Sequence, residues 1–351
     1  MSGMEFAVFT AHDRTLDEGR EVWRAAERAG FDAIGVVDSP LLMREAFVSL
    51  AALAADTSRA RIFPCVMNTL TRDPTVTASA YLGLRDLAGD RVFLAFGSGD
   101  SSTHGTGLGT ARLAHMAEYI GAVRAMLQGE TAVYEGRQLT PAWHGFDPIA
   151  PRLYLAAHGP RALAVAGRVA DGVICGFGLL PETIAHAEAI VRRSASEAGR
   201  DPDAIEIWHV AYYCPAETVD DGFLHANGAG AAVLARSGLQ GKLVPEHLHE
   251  AVRAVGATWT LDRHGRANRR TLEVARATDC LDYLVDRGGG LVGPVDPAAR
   301  IAELQRRGVE RLLFVALGDD KLRLIRQLGQ ALATSGLRGS GRRSSHHGTS
   351  C

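Results

Sequence analysis

Short apolar runs rich in β-branched and aromatic residues recur along this chain at residues 6–10, 33–37, 62–66, 92–96, 153–156, 172–175, 205–213 and 312–316, with helix-patterned segments between them. In residues 16–29 the apolar Leu16, Val22 and Ala26 fall at helical spacing. In residues 111–127, Leu113, Met116, Ile120, Val123 and Leu127 share one face. Gly30 follows the first helical pattern, and Pro160 and Pro181 open later ones. Strands that alternate with helices imply a parallel sheet, because parallel neighbours need a crossover connection. An open doubly wound sheet and a closed barrel both satisfy that order. The count of eight, with no break in composition between two halves, favours an α/β fold of the (β/α)8 TIM barrel type.

Two stretches interrupt the alternation. One spans about 129–151 and holds Pro141, Trp143 and Pro148; the other, about 215–297, is largely helical and lies between the seventh and eighth strands. Loop insertions of this kind shape the substrate pocket of a barrel. Residues 1–335 are therefore expected to form a single barrel domain carrying both insertions. Residues 336–351 are Gly-, Ser- and Arg-rich and are expected to be a disordered tail, with His346 and His347 solvated rather than metal-bound.

Of 351 residues, 46% are hydrophobic and the formal charge is -2. That is ample for a core, and it argues against nucleic acid or an anionic membrane as the main partner, since both call for a basic excess. The five cysteines, Cys65, Cys175, Cys214, Cys280 and Cys351, are odd in number and widely spaced, which suits reduced thiols. Met1 to Glu5 carry no basic leader, and no apolar run approaches the roughly 20 residues of a membrane span. A cytoplasmic protein acting on a small molecule is the expectation.

A barrel assembles its site from residues just after each strand. After the fourth strand come Gly97, Ser98, Gly99 and Asp100, whose closely spaced glycines allow near approach to a ligand. No dinucleotide fingerprint is complete there, and no helix is expected to open at once. After the fifth strand, His158, Gly159, Pro160 and Arg161 lead into a helix. Its free N–H groups and the arginine suit a phosphate, and the same pattern also serves an ordinary helix start. Asp38 ends the second strand as a candidate functional acid or as the cap of the next helix. Asn68, after the third strand, could meet the edge of a neutral heterocycle, and nearby Arg72 could be an ion-pair partner. His12 follows the first strand, and Gly176 the sixth, as a further candidate for cofactor binding. His247 and His249 stand two apart on a helical pattern and do not share a face, which argues against a metal pair; no metal site is expected. No G-x-S-x-G nucleophile motif occurs.

These segments together resemble the luciferase-like monooxygenase superfamily, and within it the branch of deazaflavin-dependent methylenetetrahydromethanopterin reductases. The resemblance is carried by Ala29-Gly30-Phe31-Asp32, by Asn68 to Ala80, by Gly89-Asp90-Arg91-Val92 through Gly97-Ser98-Gly99-Asp100, by Leu155 to Arg161, by Ala170-Asp171-Gly172 and by Val292-Gly293-Pro294. It covers roughly residues 4–333 and is loosest over 215–287. The resemblance implies a bacterial luciferase-like barrel holding a tricyclic ring near its axis. It further implies a bulge, often with a non-proline cis peptide, at about Cys65-Val66-Met67 behind that ring. The 97–100 loop and the 159–161 turn would hold the ribityl chain and phosphate, with Asp38 near the ring. Many relatives have Asp-His after the second strand, whereas this chain has Asp38-Ser39, so that histidine donor is absent. His12, Asp38 and His158 remain as proton-handling candidates.

The expected function is hydride transfer between a reduced deazaflavin, coenzyme F-420 (8-hydroxy-5-deazaflavin), and a small organic substrate, in a homodimer like many relatives. An FMN-dependent monooxygenase using reduced flavin and oxygen is the rival within the fold. A non-redox barrel acting on a phosphorylated metabolite is the rival of another class, and a flavin-binding relative without catalysis a further one. Schiff-base chemistry would need a lysine after a strand, and the only lysines are Lys242 and Lys321.

Overall fold

A computed structural model describes residues 3–10, 14–226, 229–235, 238–264 and 266–337. The apolar runs form parallel strands, joined by helices that cover their outer faces. In chain order these strands are β1 (Glu5–Thr10), β2 (Ala33–Val36), β3 (Arg61–Pro64), β4 (Met67–Asn68) and β5 (Leu94–Gly97). An antiparallel pair follows, β6 (Ala132–Tyr134) and β7 (Arg137–Leu139). Then come β8 (Leu153–Ala157), β9 (Gly172–Cys175), β10 (Glu206–Pro215), β11 (Leu291–Gly293) and β12 (Arg311–Ala316). The main sheet runs β3-β2-β1-β12-β10-β9-β8-β5-β4, with β11 beside β10. Its two ends are halves of one stretch, parted only by Cys65 and Val66, and Ile62 bridges Val92 across the seam. The sheet therefore closes into a barrel of eight staves, as the strand count predicts.

The third stave is not the continuous run 62–66. It ends at Pro64 and resumes at Met67, with a cis peptide between Cys65 and Val66. This places the non-proline cis bond where the family resemblance puts it. The bulge lets β3 pair with β2 while β4 pairs with β5, Met67 opposite Phe96 and Asn68 opposite Gly97.

The crossovers up to β10 are α1 (Leu16–Arg28), α2 (Ala46–Asp56), α3 (Pro74–Ala88), α4 (Ser101–His104), α5 (Leu113–Leu127), α6 (Pro160–Val169) and α7 (Pro181–Glu197). Thr15 and Glu18 form a reciprocal capping box on α1, and Asp73 caps α3 ahead of Pro74. The one-turn helix α4 opens at Ser101, after three loop residues that follow the fourth stave. The 129–151 interruption contains the β6–β7 hairpin, turned by Glu135 and Gly136, both at positive φ. That backbone suits a two-residue hairpin, but Glu-Gly lacks the usual Asn-Gly or Asp-Gly signature.

After β10 come α8 (Val219–Ala226), α9 (Ala229–Ala235), α10 (His249–Gly256), α11 (Arg269–Ala277) and α12 (Leu281–Arg287), then α13 (Pro297–Arg306) and α14 (Lys321–Thr334) around β12. The long interruption is thus largely helical, as expected, but it ends in the short strand β11, which continues the sheet beside β10.

Strand alternation divides the apolar side chains into layers. Phe63, Phe93, Tyr154, Ile174, Trp208 and Leu313 fill the barrel interior, with the Phe93 ring 4.3 Å from Phe63 and 4.4 Å from Tyr154. Val8, Ile34, Ile62, Leu155 and Phe314 face the helices. A third cluster, including Phe223, Leu234, Val252 and Leu281, gives the insertion its own core against Cys214 and Val292. At the N-terminal ends of the staves, Glu206 receives Arg61 at 3.0 Å, Arg152 at 2.7 Å and the Tyr154 hydroxyl at 2.7 Å. Burial alone would raise the Glu206 pKa. The Arg61 charge and the Tyr154 and Arg61 hydrogen bonds outweigh it and hold the carboxyl at about 2. This end is locked by structure, leaving the opposite rim for a site. No helix among the described residues is long and apolar enough to cross a membrane.

Candidate active site at the C-terminal rim

At the rim, Val66, Gly97 and Ala156 come together. A methyl group on Gly97 would come within 2.7 Å of Val66 Cγ2 and 3.9 Å of Ala156 Cβ. Val66 and Ala156 pack at the upper edge of the interior cluster, so with glycine at 97 these three positions leave a shallow surface. Met67 follows the bulge but is fully buried in the layer facing the helices, so its side chain supports the patch from behind.

Two turns flank the patch. In the first, Gly99 takes φ 87°, and the Asp100 carbonyl accepts from the N–H groups of Thr103 and His104 to start α4. The Ser98 carbonyl accepts from Ala111 at 2.6 Å, tying the loop to the approach of α5. In the second, Gly159 is the N-cap of α6 with no side-chain cap, and Pro160 has no N–H. The N–H groups of Arg161 and Ala162 thus lack the usual cap, and Arg161 is exposed with no hydrogen bond or ion pair to a described residue. An uncapped helix start beside an uncommitted guanidinium fits a phosphate.

Asp38 and Arg72 meet across the rim between the second and third staves. Arg72 donates to both Asp38 oxygens, at 2.5 and 3.1 Å, and to Glu45 at 2.6 Å, while its guanidinium lies 5.3 Å over the Phe47 ring. Burial would lower the Arg72 pKa, but the hydrogen bond and charge of Asp38 raise it. Glu45, not Asp38, caps α2, which removes the capping alternative for Asp38. Beside Asp38, the Ser39 hydroxyl lies 2.7 Å from that of Ser101, and both are buried. Asn68 spends its side chain on the local turn: Oδ1 accepts from Leu70 and Thr71 N–H, and Nδ2 donates to the Thr71 hydroxyl. That turn removes the side-chain edge expected to meet a heterocycle.

His158 and Gly176 end adjacent staves. The His158 Nδ1 lies 3.2 Å from the Gly176 carbonyl oxygen, and a methyl on Gly176 would fall 2.0 Å from that nitrogen. The ring therefore occupies the space that glycine leaves at the mouth. Burial, with the nearby Lys242 charge and against the Gly176 hydrogen bond, pushes its pKa down to about 4. Lys242 comes from the long insertion. Its Cε would stand 3.4 Å from a methyl on Gly159, and its Nζ donates to the Leu234 carbonyl at 2.8 Å. Burial and the charge of Arg287 lower the Lys242 pKa to about 8. Arg287 clamps this segment, donating to the carbonyls of Lys242, Leu243 and Phe177.

A small open pocket lies here, lined by Gly176, Gly178, Val210, Tyr212, Arg287 and Gly288 among others. On the far side, the insertion reaches the α4 loop through Trp259, whose ring meets His104 edge-on at 5.2 Å. The insertion thus reaches the rim at two places, Lys242 beside Gly159 and Trp259 beside His104. Lys242, Tyr212 and Arg287 carry no local motif. Only the inward alternation of Trp208, Val210 and Tyr212 along β10 signals any of them. His12, and His346 with His347, lie outside the described residues. Among the described residues no three His, Cys, Asp or Glu side chains converge as for a metal ion, and His249 bonds the Val244 carbonyl.

Residues 4–311 match the sequence profile of the family described as luciferase-like monooxygenase. A 5,10-methylenetetrahydromethanopterin reductase from Methanolobus tindarius is 26% identical over 325 residues, covering 88% of this chain and 93% of the relative. The coenzyme F420 dependent tetrahydromethanopterin reductase from Methanopyrus kandleri superposes with a TM-score of 0.66 at 22% identity, over 94% of this chain and 98% of that one. An F420-dependent secondary alcohol dehydrogenase, solved with an F420-acetone adduct, superposes with a TM-score of 0.71 at 18% identity, over 94% and 98%.

Proposed function

The chain belongs to the luciferase-like monooxygenase family, and from that premise we propose that it transfers a hydride between coenzyme F-420 and a small organic substrate at the C-terminal rim of its barrel. The observation that carries this reading is the meeting of Val66, Gly97 and Ala156 at the rim, flanked by a helix start without a side-chain cap whose Arg161 has no partner among the described residues. The named F420 dependence of the two similar structures and the likeness to the Methanolobus reductase support a deazaflavin over FMN. When bound, the coenzyme supplies the hydride chemistry, and the protein supplies orientation and exclusion of water.

Val66 and Gly97 would back the ring, with Met67 and Asn68 holding the bulge from behind. Gly97, Ser98, Gly99 and Asp100 would follow the ribityl chain. Gly159, Pro160 and Arg161 would take the phosphate, and Gly176 would leave room at the mouth. Asp38, bound through both oxygens to Arg72, acts here as an anchor of the rim. Trp259 and Lys242, from opposite parts of the insertion, would close over the substrate. The rest of the reading is one barrel unit over residues 1–335 with its two insertions, acting in the cytoplasm as a homodimer, without nucleic acid.

The test is anaerobic turnover. The reduced deazaflavin should be oxidised by imines, enones or ketones, or its oxidised form reduced by alcohols or amines, without oxygen. Activity only with reduced FMN and oxygen would move the enzyme to the monooxygenase reading.

A further inference from the structure

We propose that His158 is the proton acceptor of the reaction and that the enzyme works as a dehydrogenase, taking an alcohol or amine whose O–H or N–H proton passes to His158 Nε2. The proposal rests on the hydride-transfer reading and adds to it a direction and a substrate class.

Among the described residues the His158 ring makes one hydrogen bond, to the Gly176 carbonyl. A carbonyl oxygen only accepts, so the 3.2 Å contact with Gly176 requires the proton to sit on Nδ1. In a neutral imidazole that leaves Nε2 as a lone pair, an acceptor with nothing to donate. The ring's orientation is enforced sterically, because its Nδ1 and Cε1 occupy the place of a side chain at Gly176. The alternation of β8 and β9, carried one residue past the end of each strand, puts His158 above Ala156 and Tyr154, and Gly176 above Ile174, on the inward-facing side. The lone pair therefore belongs to the barrel mouth, not to the helix layer behind it.

Two groups bear on the ring's charge: the Gly176 carbonyl from the end of β9, and the Lys242 ammonium from the insertion. The carbonyl favours protonation. The lysine and the burial oppose it and prevail, so the ring is neutral through the physiological range. Arg287, through the Lys242 and Leu243 carbonyls, fixes the segment that carries this charge. Burial is the main cause of the neutral ring and the Lys242 charge adds to it, which makes Lys242 a positioning residue. Asp38 does not compete for the role, since Arg72 engages both its oxygens.

The step balances without a further reactant. The substrate C–H bond breaks and its electron pair leaves with the hydrogen as hydride to the oxidised deazaflavin. The O–H or N–H bond breaks, its electrons form the new C=O or C=N bond, and the proton goes to Nε2. The products are a ketone, aldehyde or imine, the reduced coenzyme and an imidazolium that returns its proton to solvent.

The test is histidine ¹⁵N NMR on the full chain without coenzyme, with His158→Asn to assign the signal. The expected result is the Nδ1–H tautomer at neutral pH, titrating well below the ordinary histidine range. Lys242→Met should raise that titration, and Lys242→Arg should restore it. In the loaded enzyme, His158→Asn should slow alcohol- or amine-dependent coenzyme reduction by about 10²–10⁴-fold with coenzyme affinity kept. An Nε2–H tautomer, a ring protonated at neutral pH, or a titration indifferent to Lys242 would overturn the proposal even if the protein binds deazaflavin. Failure of wild-type protein to bind deazaflavin would overturn the hydride-transfer reading, and this proposal with it.

Discussion

Arg72 holds both oxygens of Asp38, at 2.5 and 3.1 Å, and so joins the end of the second stave to the loop after the third. The carboxylate is almost wholly buried. Removing the cation would strand a charge in a poorly solvated place, the situation in which losing one partner of an ion pair is most damaging. Arg72→Met should therefore lower stability by about 3–5 kcal/mol, read from the urea midpoint at constant slope. A loss below about 1 kcal/mol, the size of an exposed pair, would show that the rim does not depend on this contact.

Arg161 offers the opposite case. It is exposed and has no protein partner among the described residues, so truncation should leave folding unchanged. If it bonds the coenzyme's phosphate, Arg161→Ala should weaken deazaflavin binding by about 1–3 kcal/mol. Isothermal titration checks both parts, and unchanged affinity would remove Arg161 from the site.

The apolar patch gives a steric test. Gly97→Ala would press a methyl group to within 2.7 Å of Val66 Cγ2, raising the surface on which the ring is proposed to lie. Overpacking of this sort costs about 1–3 kcal/mol, and it should appear as weaker binding of the deazaflavin. Unaltered binding of the variant would place the ring elsewhere.

At the closed end of the barrel, pH is the probe. The folded-state pKa of Glu206 is depressed from 4.5 to about 2. Its contribution is therefore present above about pH 4.5 and lost as pH falls through about 2. The stability difference between wild type and Glu206→Gln should be constant from neutral pH to about 5 and shrink below 4.5. Urea titrations at successive pH values measure it. A gap that stays constant down to pH 2.5 would contradict the arrangement of Arg61, Arg152 and Tyr154 around this carboxylate.

The barrel was legible because each stave writes its own local pattern. Residues 153–157 and 172–175 stand in the structure almost as their apolar runs suggest. The turn at Gly159-Pro160-Arg161 was equally local, since proline suits the first helical position. The third stave was not legible from pattern alone. Residues 62–66 read as one run, and only the family resemblance pointed to the break at Cys65-Val66. Asn68 looked like a ligand from its place, but its side chain is spent three residues away on Thr71. Lys242 and Arg287 stayed hidden for a different reason. They lie 45 residues apart, and their meeting over His158 and Gly159 depends on how a motif-free insertion folds back.

The measurement that bears most directly on the function is equilibrium titration of the protein with oxidised coenzyme F-420 and, separately, with FMN, followed by ring absorbance and fluorescence. The expected result is saturable binding of the deazaflavin, weakened by Arg161→Ala and by Gly97→Ala, with FMN bound more weakly. Preference for FMN would contradict the deazaflavin assignment, and binding of neither would contradict the rim as a flavin site.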